Sequence, residues 1–481
     1  MTRVPRDSGS NFAAFPQGFA WGAATSAQQV EGSLLADGAG HSMWHGFART
    51  PGNIASGELQ DVACDHYRRH RDDVALMKRL GLPSYQFSTS WARVMPDGMT
   101  VNPAGLDFYD RLVDDLVAAG ISPMTVVYTW ELPEQLAATG GWLNRDTSHR
   151  MAEFAAVLFD RLGDRVDQWL TMCEPMSVAH YGYIEGDLAP GVRDIRAGLR
   201  ATHHILLGHG LAVERFRSSD ATGTIGIINA MADILPGSDQ DDDIEAATRA
   251  MEYHHALYLD PIVRGQYPES IRSWFEHDWP EVRDGDLATI ASPIDFIGID
   301  YYCRSIVVAA PDGSSATATG DEIGAAGPIG SSFSQLLQLA TLPPTGRLTS
   351  IGWELQPEGL YNVLTWLNRR YPDMPLVITE IGAAYEDTVT PDGKVHDPAR
   401  TRYLHESILQ AHRAITDGVD LRGCYVWSFL DTWEYNLGYT ARFGLVHVDW
   451  STQERTPKAS AFWFCETARN NGLSRSISQP C

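Results

Sequence analysis

Short runs of apolar and β-branched residues recur along the chain and alternate with stretches of helical period. The runs lie at residues 19–25, 84–90, 123–129, 168–174, 223–229, 295–302, 375–381 and 422–429, eight in all. Between them, segments such as 103–119, 194–217, 357–370 and 399–416 carry apolar residues at helical spacing. Strand–helix alternation predicts parallel βαβ units, and eight units in one chain predict an α/β fold of the (β/α)8 TIM-barrel type. An open doubly wound sheet is the alternative. It usually carries a Gly-rich turn after its first strand, and none stands here. The expected organisation is a single barrel over residues 15–470, preceded by an extension (1–14) and followed by a tail (471–481). A Gly/Ala/Ser/Thr-rich segment, residues 309–332, reads as a long mobile loop after the sixth strand. It is either part of the face where barrels carry their sites or a surface insertion without function.

Composition narrows the function. The 481 residues are 44% hydrophobic and 20% charged, which is ordinary for a globular chain. The formal charge of −24 disfavours nucleic acid and anionic lipid as partners. No run of about 18 apolar residues predicts a membrane span, and the polar start shows no secretory leader. Six scattered cysteines form no CxxC pair and read as buried thiols in a reducing compartment, so a cytoplasmic location is expected. The many histidines, His203, His204, His209, His254 and His255 among them, form no HExxH motif and read as helix residues. No phosphate-cradling Gly loop occurs. Neither a metal nor a cofactor is expected.

Barrels place their chemistry where strands end. The fourth run ends in Cys173-Glu174-Pro175 and the seventh in Thr379-Glu380-Ile381. Two carboxylates facing each other across a cleft are the minimum for cleaving a glycosidic bond. From spacing alone, either glutamate singly reads equally as a solvated or ion-paired group.

The motifs Phe15-Pro16-Gln17-Gly18-Phe19-Ala20-Trp21-Gly22, Gln29-Val30-Glu31-Gly32, Gly140-Gly141-Trp142-Leu143, Glu174-Pro175, Thr379-Glu380, Trp427-Ser428 and Arg442-Phe443-Gly444-Leu445 follow in order. Together they resemble glycoside hydrolase family 1, the β-glucosidase family, from about Phe15 to Phe464. The resemblance implies a retaining β-glycosidase with Glu174 as acid/base and Glu380 as nucleophile, acting on a small-molecule glycoside or glycosylated metabolite. It also implies a sugar subsite that includes Gln29, Thr129, Trp130, Cys173, Asp300, Tyr302, Trp353, Trp427, Glu434 and Tyr435. Phosphorylated sugars are not expected, because Glu434 would repel a phosphate. Oligomeric state is left open.

The subsite departs from the family pattern. Gln86 replaces an arginine near the nucleophile, and Thr129 with Glu131 replace the ends of His-Trp-Asp. Cys173 replaces the asparagine that bonds the sugar 2-hydroxyl, Asp300 replaces an asparagine, Ile381 stands for the asparagine of Glu-Asn-Gly, and Thr432-Trp433-Glu434-Tyr435 replaces Asn-Phe-Glu-Trp. Losing a cation at Gln86 and adding an acid at Asp300 should push the Glu380 pKa upward. A hydrolase with a non-standard glycone is the leading expectation. A transglycosidase and a non-catalytic carbohydrate-binding protein on the same scaffold are the alternatives.

Overall fold

The computed structural model describes residues 11–55, 57–310 and 331–476. Eight parallel strands close into a barrel: β1 (Ala20–Thr25), β2 (Ser84–Ser88), β3 (Ser122–Tyr128), β4 (Gln168–Cys173), β5 (Thr224–Pro236), β6 (Phe296–Ala309), β7 (Leu376–Ile381) and β8 (Leu421–Trp427). Neighbours run β5-β4-β3-β2-β1-β8-β7-β6, and β6 pairs back onto β5 to complete the ring. Every predicted run became a barrel strand. Met124, Val126, Leu170, Ile228, Phe296, Val377 and Tyr425 fill the interior as one cluster. The barrel is therefore packed below its mouth, as its apolar strands require.

The predicted helices also form. Two of them, Pro103–Ala119 and Pro357–Arg370, run between the limits expected from their period. Each opens on a proline, whose missing N–H costs nothing in a first turn. The first stops at Gly120, which takes the left-handed φ of 77° that ends a helix cheaply.

Strands β5 and β6 run well past the predicted limits, and the charged residues Asp233 and Arg304 explain why. They break the apolar signal, yet each has a partner: Asn362 Nδ2 donates to Asp233 at 3.1 Å, and Arg304 forks onto Glu354 at 2.8 and 3.0 Å. The two strands stay paired from Gly226↔Phe296 to Pro236↔Val307, with one register shift, and raise a ribbon above the barrel rim. Leu339–Thr341 adds to it antiparallel. Of the predicted loop, residues 311–330 lie outside the described residues.

At the other face, Phe12–Ala14 pairs antiparallel with Gly472–Ser474. Asn471 secures this closure. Its amide donates to the carbonyls of Phe15 (2.9 Å) and Pro16 (3.1 Å), and its oxygen accepts from Trp21 Nε1 at 3.0 Å. No described helix is long and apolar enough to cross a membrane. The five described cysteines are buried and unbridged.

The loops that follow β7 and β8 are tied together by a buried ion cluster. Lys458 Nζ reaches Asp387 and Asp431, each at 2.6 Å. Arg400 bonds Asp387 and Asp397 at 2.6 Å, and Arg442 bonds Asp431 at 2.6 Å. Three cations thus meet three carboxylates away from solvent. Such clusters add little net stability against an apolar replacement, but removing one partner strands the others. Lys458→Met should therefore lower unfolding free energy by about 3–5 kcal/mol, read from urea denaturation. An unchanged midpoint would contradict this account of the loops.

Candidate active site

Three acidic side chains converge from the ends of β4 and β7 and from the first half of β6. Glu174 follows β4 directly. Its backbone turns left-handed (φ 50°) before Pro175 opens the short helix Pro175–Ala179, and its N–H is held by the Ile228 carbonyl at 3.0 Å. That conformation costs a non-glycine residue roughly 1–2 kcal/mol. Asp300 on β6 lies in register opposite Glu380 on β7. One oxygen each of Asp300 and Glu380 and the Cys173 sulfur all lie within 4.8 Å of one another.

Each acid accepts from a neutral neighbour. Tyr302 OH donates to Glu380 Oε2 at 2.6 Å, Ser177 Oγ to Glu174 Oε2 at 2.6 Å, and Thr379 Oγ1 to Asp300 Oδ1 at 2.7 Å. The Cys173 thiol points at Asp300 Oδ2 from 3.6 Å. Sequence reasoning did not single out Ser177 or Thr379. The first lies three residues after Glu174 and the second just before Glu380, so a search at helix and strand spacing would have found both.

Burial pushes the Glu174 pKa upward, and the hydrogen bond from Ser177 resists the rise. Glu380 is pushed well above the carboxylate range by burial and then by the charge of Glu174, while the Tyr302 hydroxyl favours its ionised form. Asp300 is also driven far up, by burial and then by Glu380 and Glu174. It is thus a natural holder of a proton, and the upward shift of Glu380 comes first from its own burial. The same surroundings push the Cys173 thiol up, so it stays protonated.

The rim carries the remaining predicted residues. Gln29 Nε2 donates to Glu434 Oε2 at 3.0 Å, and Trp427 Nε1 and Thr432 Oγ1 donate to Glu434 Oε1. Burial raises the Glu434 pKa to about 7. Tyr302, Trp353 and Phe443 form an aromatic wall, with ring centroids 5.4–6.1 Å apart. Opposite in character, Tyr435 stacks on Trp130 at 4.7 Å, and Trp44 packs on the same Tyr435 ring. Trp130 takes a left-handed φ of 55°, and its indole N–H is enclosed without a partner. Thr129 is buried beside it. The places of Phe443 and Trp44 were not expected; Phe443 comes from a loop and Trp44 from the short helix Met43–Arg49, and the strand pattern encodes the position of neither.

Comparison with known proteins decides the relationship. The model for glycosyl hydrolase family 1 matches residues 11–473. The chain belongs to glycosyl hydrolase family 1. It is 43% identical to β-glucosidase A of Thermotoga maritima over 465 residues, which is 96% of this chain and 99% of that protein. It is 41% identical to a 1,4-β-D-glucan glucohydrolase of Thermotoga neapolitana over 462 residues, covering 96% and 99%. The solved family 1 β-glucosidase of Thermotoga maritima superposes with a TM-score of 0.90 at 42% identity, covering 96% of this chain and all of that one. This family 1 protein is a retaining β-glycosidase. The transglycosidase and binding-protein alternatives gain no support from these relatives.

Beneath the rim of this family 1 enzyme, Glu131 accepts from Ser90 Oγ at 2.9 Å, and its second oxygen is buried without a partner. Burial raises its pKa from the model-peptide value of 4.5 to about 7. Between these values the folded protein binds more protons than the unfolded chain, so stability falls as pH rises from about 4.5 to 7. The cost is absent at lower pH and fully present above 7. Glu131→Gln should therefore raise the unfolding free energy at pH 8 by up to about 3 kcal/mol, read from urea denaturation, and change it little at pH 4.5. A larger gain at acid pH than at pH 8 would reverse the assignment.

Proposed function

We propose that Glu380 is the nucleophile and Glu174 the acid/base in hydrolysis of a small β-glucoside-type substrate, with the sugar held in the barrel mouth. The observation that carries this is the pair of glutamates at the ends of β4 and β7, sharing one buried mouth but held by different donors. In the first step a Glu380 oxygen bonds to the anomeric carbon as the bond to the leaving oxygen breaks. Glu174 gives its proton to that oxygen, and the aglycone departs as an alcohol. Esterification removes the charge of Glu380, which lowers the pKa of Glu174 and suits it to its next task. Ionised Glu174 then takes a proton from water, the water oxygen bonds to the anomeric carbon, and Glu380 leaves as a carboxylate. Configuration is retained through two inversions.

The hydroxyl of Tyr302 assists by favouring ionised Glu380. Gln29 and Glu434 form an amide–carboxylate pair that can bridge adjacent sugar hydroxyls, and the enclosed Trp130 N–H offers a further donor. Trp427 supplies an aromatic floor and Trp353 flanks the leaving-group side. The β-glucosidase and glucan glucohydrolase relatives support a glucoside-type scaffold for the substrate. The solved β-glucosidase of Thermotoga maritima has been captured with glucoimidazole and with deoxynojirimycin, which supports a single sugar-sized subsite.

Two variants test the roles. Glu380→Gln should abolish turnover of every aryl and alkyl glycoside. Glu174→Gln should cost roughly 10²–10⁴-fold on alkyl glycosides and far less on 2,4-dinitrophenyl glycosides, whose leaving group needs little protonation. Equal losses across leaving groups would remove Glu174 from the acid role, and wild-type rates in both variants would overturn the proposal.

A further inference from the structure

The floor of the mouth is acidic, and among the described residues it holds no counter-cation. Cys173, Asp300 and Glu380 are 6%, 1% and 7% exposed, and their ligand atoms crowd within 4.8 Å. Among the described residues no Lys or Arg pairs with Glu174, Asp300 or Glu380; the charges acting on them are mainly each other's. Residues 311–330 contain neither Lys nor Arg. The donors that reach the acids, Tyr302, Ser177, Thr379 and Cys173, are each spent on one of the three, and the free Trp130 N–H lies at the rim.

A second observation is independent of the acids. Gln86 lies two residues beyond Ser84 on β2, and Ser84 bonds the interior Tyr425 hydroxyl at 2.9 Å, so strand alternation turns Gln86 into the same interior. Gln86 is 2% exposed, and its side-chain oxygen accepts from no group. The spare capacity of the floor is thus for accepting hydrogen bonds. A neutral hydroxyl supplies one donor and brings an acceptor of its own. An ammonium supplies three donors, no acceptor and the missing charge.

We infer that the preferred glycone is an amino sugar, bound as its ammonium form with the nitrogen on ring carbon 2 or 3 against Asp300, while the unpartnered Gln86 oxygen faces the same interior from β2. The inference rests on the glycosidase reading above. Glu380 must reach the anomeric carbon, so groups crowded around its oxygens surround the ring positions next to that carbon. Cys173 leaves room there and offers only a weak donor. An ammonium close to the anomeric centre would by itself disfavour the cationic transition state. Pairing with Asp300 offsets that penalty, and the same pairing keeps Asp300 ionised. The oxygen and sulfur atoms that would accept from an ammonium can also bind a soft divalent metal, so the test separates the two.

The experiment compares kcat/KM of the full-length enzyme for 4-nitrophenyl β-D-glucopyranoside and its 2-amino-2-deoxy and 3-amino-3-deoxy analogues. It uses wild type, Asp300→Asn and Glu380→Gln, with EDTA and with added zinc chloride. One amino glycoside should exceed the glucoside by roughly 10-fold or more in wild type, and Asp300→Asn should reverse the preference, mainly through KM. Should Asp300→Asn fail to fold, competition in the wild type by the free amino sugars against glucose and N-acetylglucosamine carries the test. The charged sugars should inhibit at roughly 10-fold lower concentration than either neutral one. A preference for the neutral glucoside, or an Asp300→Asn ratio equal to wild type, overturns the inference while leaving the glycosidase reading intact. Zinc inhibition that EDTA lifts and Cys173→Ser removes, with no amine preference, assigns the floor to a metal and also overturns it. Full activity in Glu380→Gln strikes instead at the reading beneath.

Discussion

Three carboxylic acids share a dry space at the barrel mouth, and their mutual repulsion is the constraint that the surroundings answer. The interior below them is packed largely with apolar side chains, and among the described residues no Lys or Arg pairs with them. Each acid instead receives one hydroxyl: from Ser177, Thr379 or Tyr302. These bonds fix orientation without settling which acid is ionised. With all three pKa values pushed upward, the acids do not all ionise together.

The loops overhead treat their buried acids differently. There Asp387, Asp397 and Asp431 are buried as deeply as Glu174, Asp300 and Glu380, yet each meets a cation from Arg400, Arg442 or Lys458. Asp431 is held below its usual pKa by Lys458 and Arg442 despite its burial. The carboxylate of Asp431 also receives the Gly444 N–H at 3.0 Å, and its neighbours Thr432 and Glu434 carry the rim of the pocket. The fold thus separates two kinds of buried acid. Neutralised acids fix the loops, and unneutralised ones remain available for chemistry.

Much of this was legible in the sequence. All eight barrel strands were visible because each buried strand is a continuous apolar or β-branched run. Glu174 and Glu380 stood out because they end such runs inside ordered motifs, and the structure does bring them to one mouth with Asp300, Cys173 and Tyr302. The upper halves of β5 and β6 were hidden because Asp233 and Arg304 look like loop residues until Asn362 and Glu354 are folded against them. The ion cluster was hidden for a similar reason. Its six members are scattered between residues 387 and 458, and nothing local marks any one of them as buried. Phe443 belongs to a recognised motif, but its place in the wall beside Tyr302 and Trp353 follows from loop geometry alone.

The antiparallel pairing of Phe12–Ala14 with Gly472–Ser474 has a topological consequence. It puts the two ends of the folded body side by side, on the face opposite the mouth. A short polar linker could join them at a small cost in loop closure, because the ends are already adjacent in the native state. The ring of strands then has no privileged starting point. New ends could be opened at an exposed glycine such as Gly393, which has open space around it, giving a circularly permuted barrel.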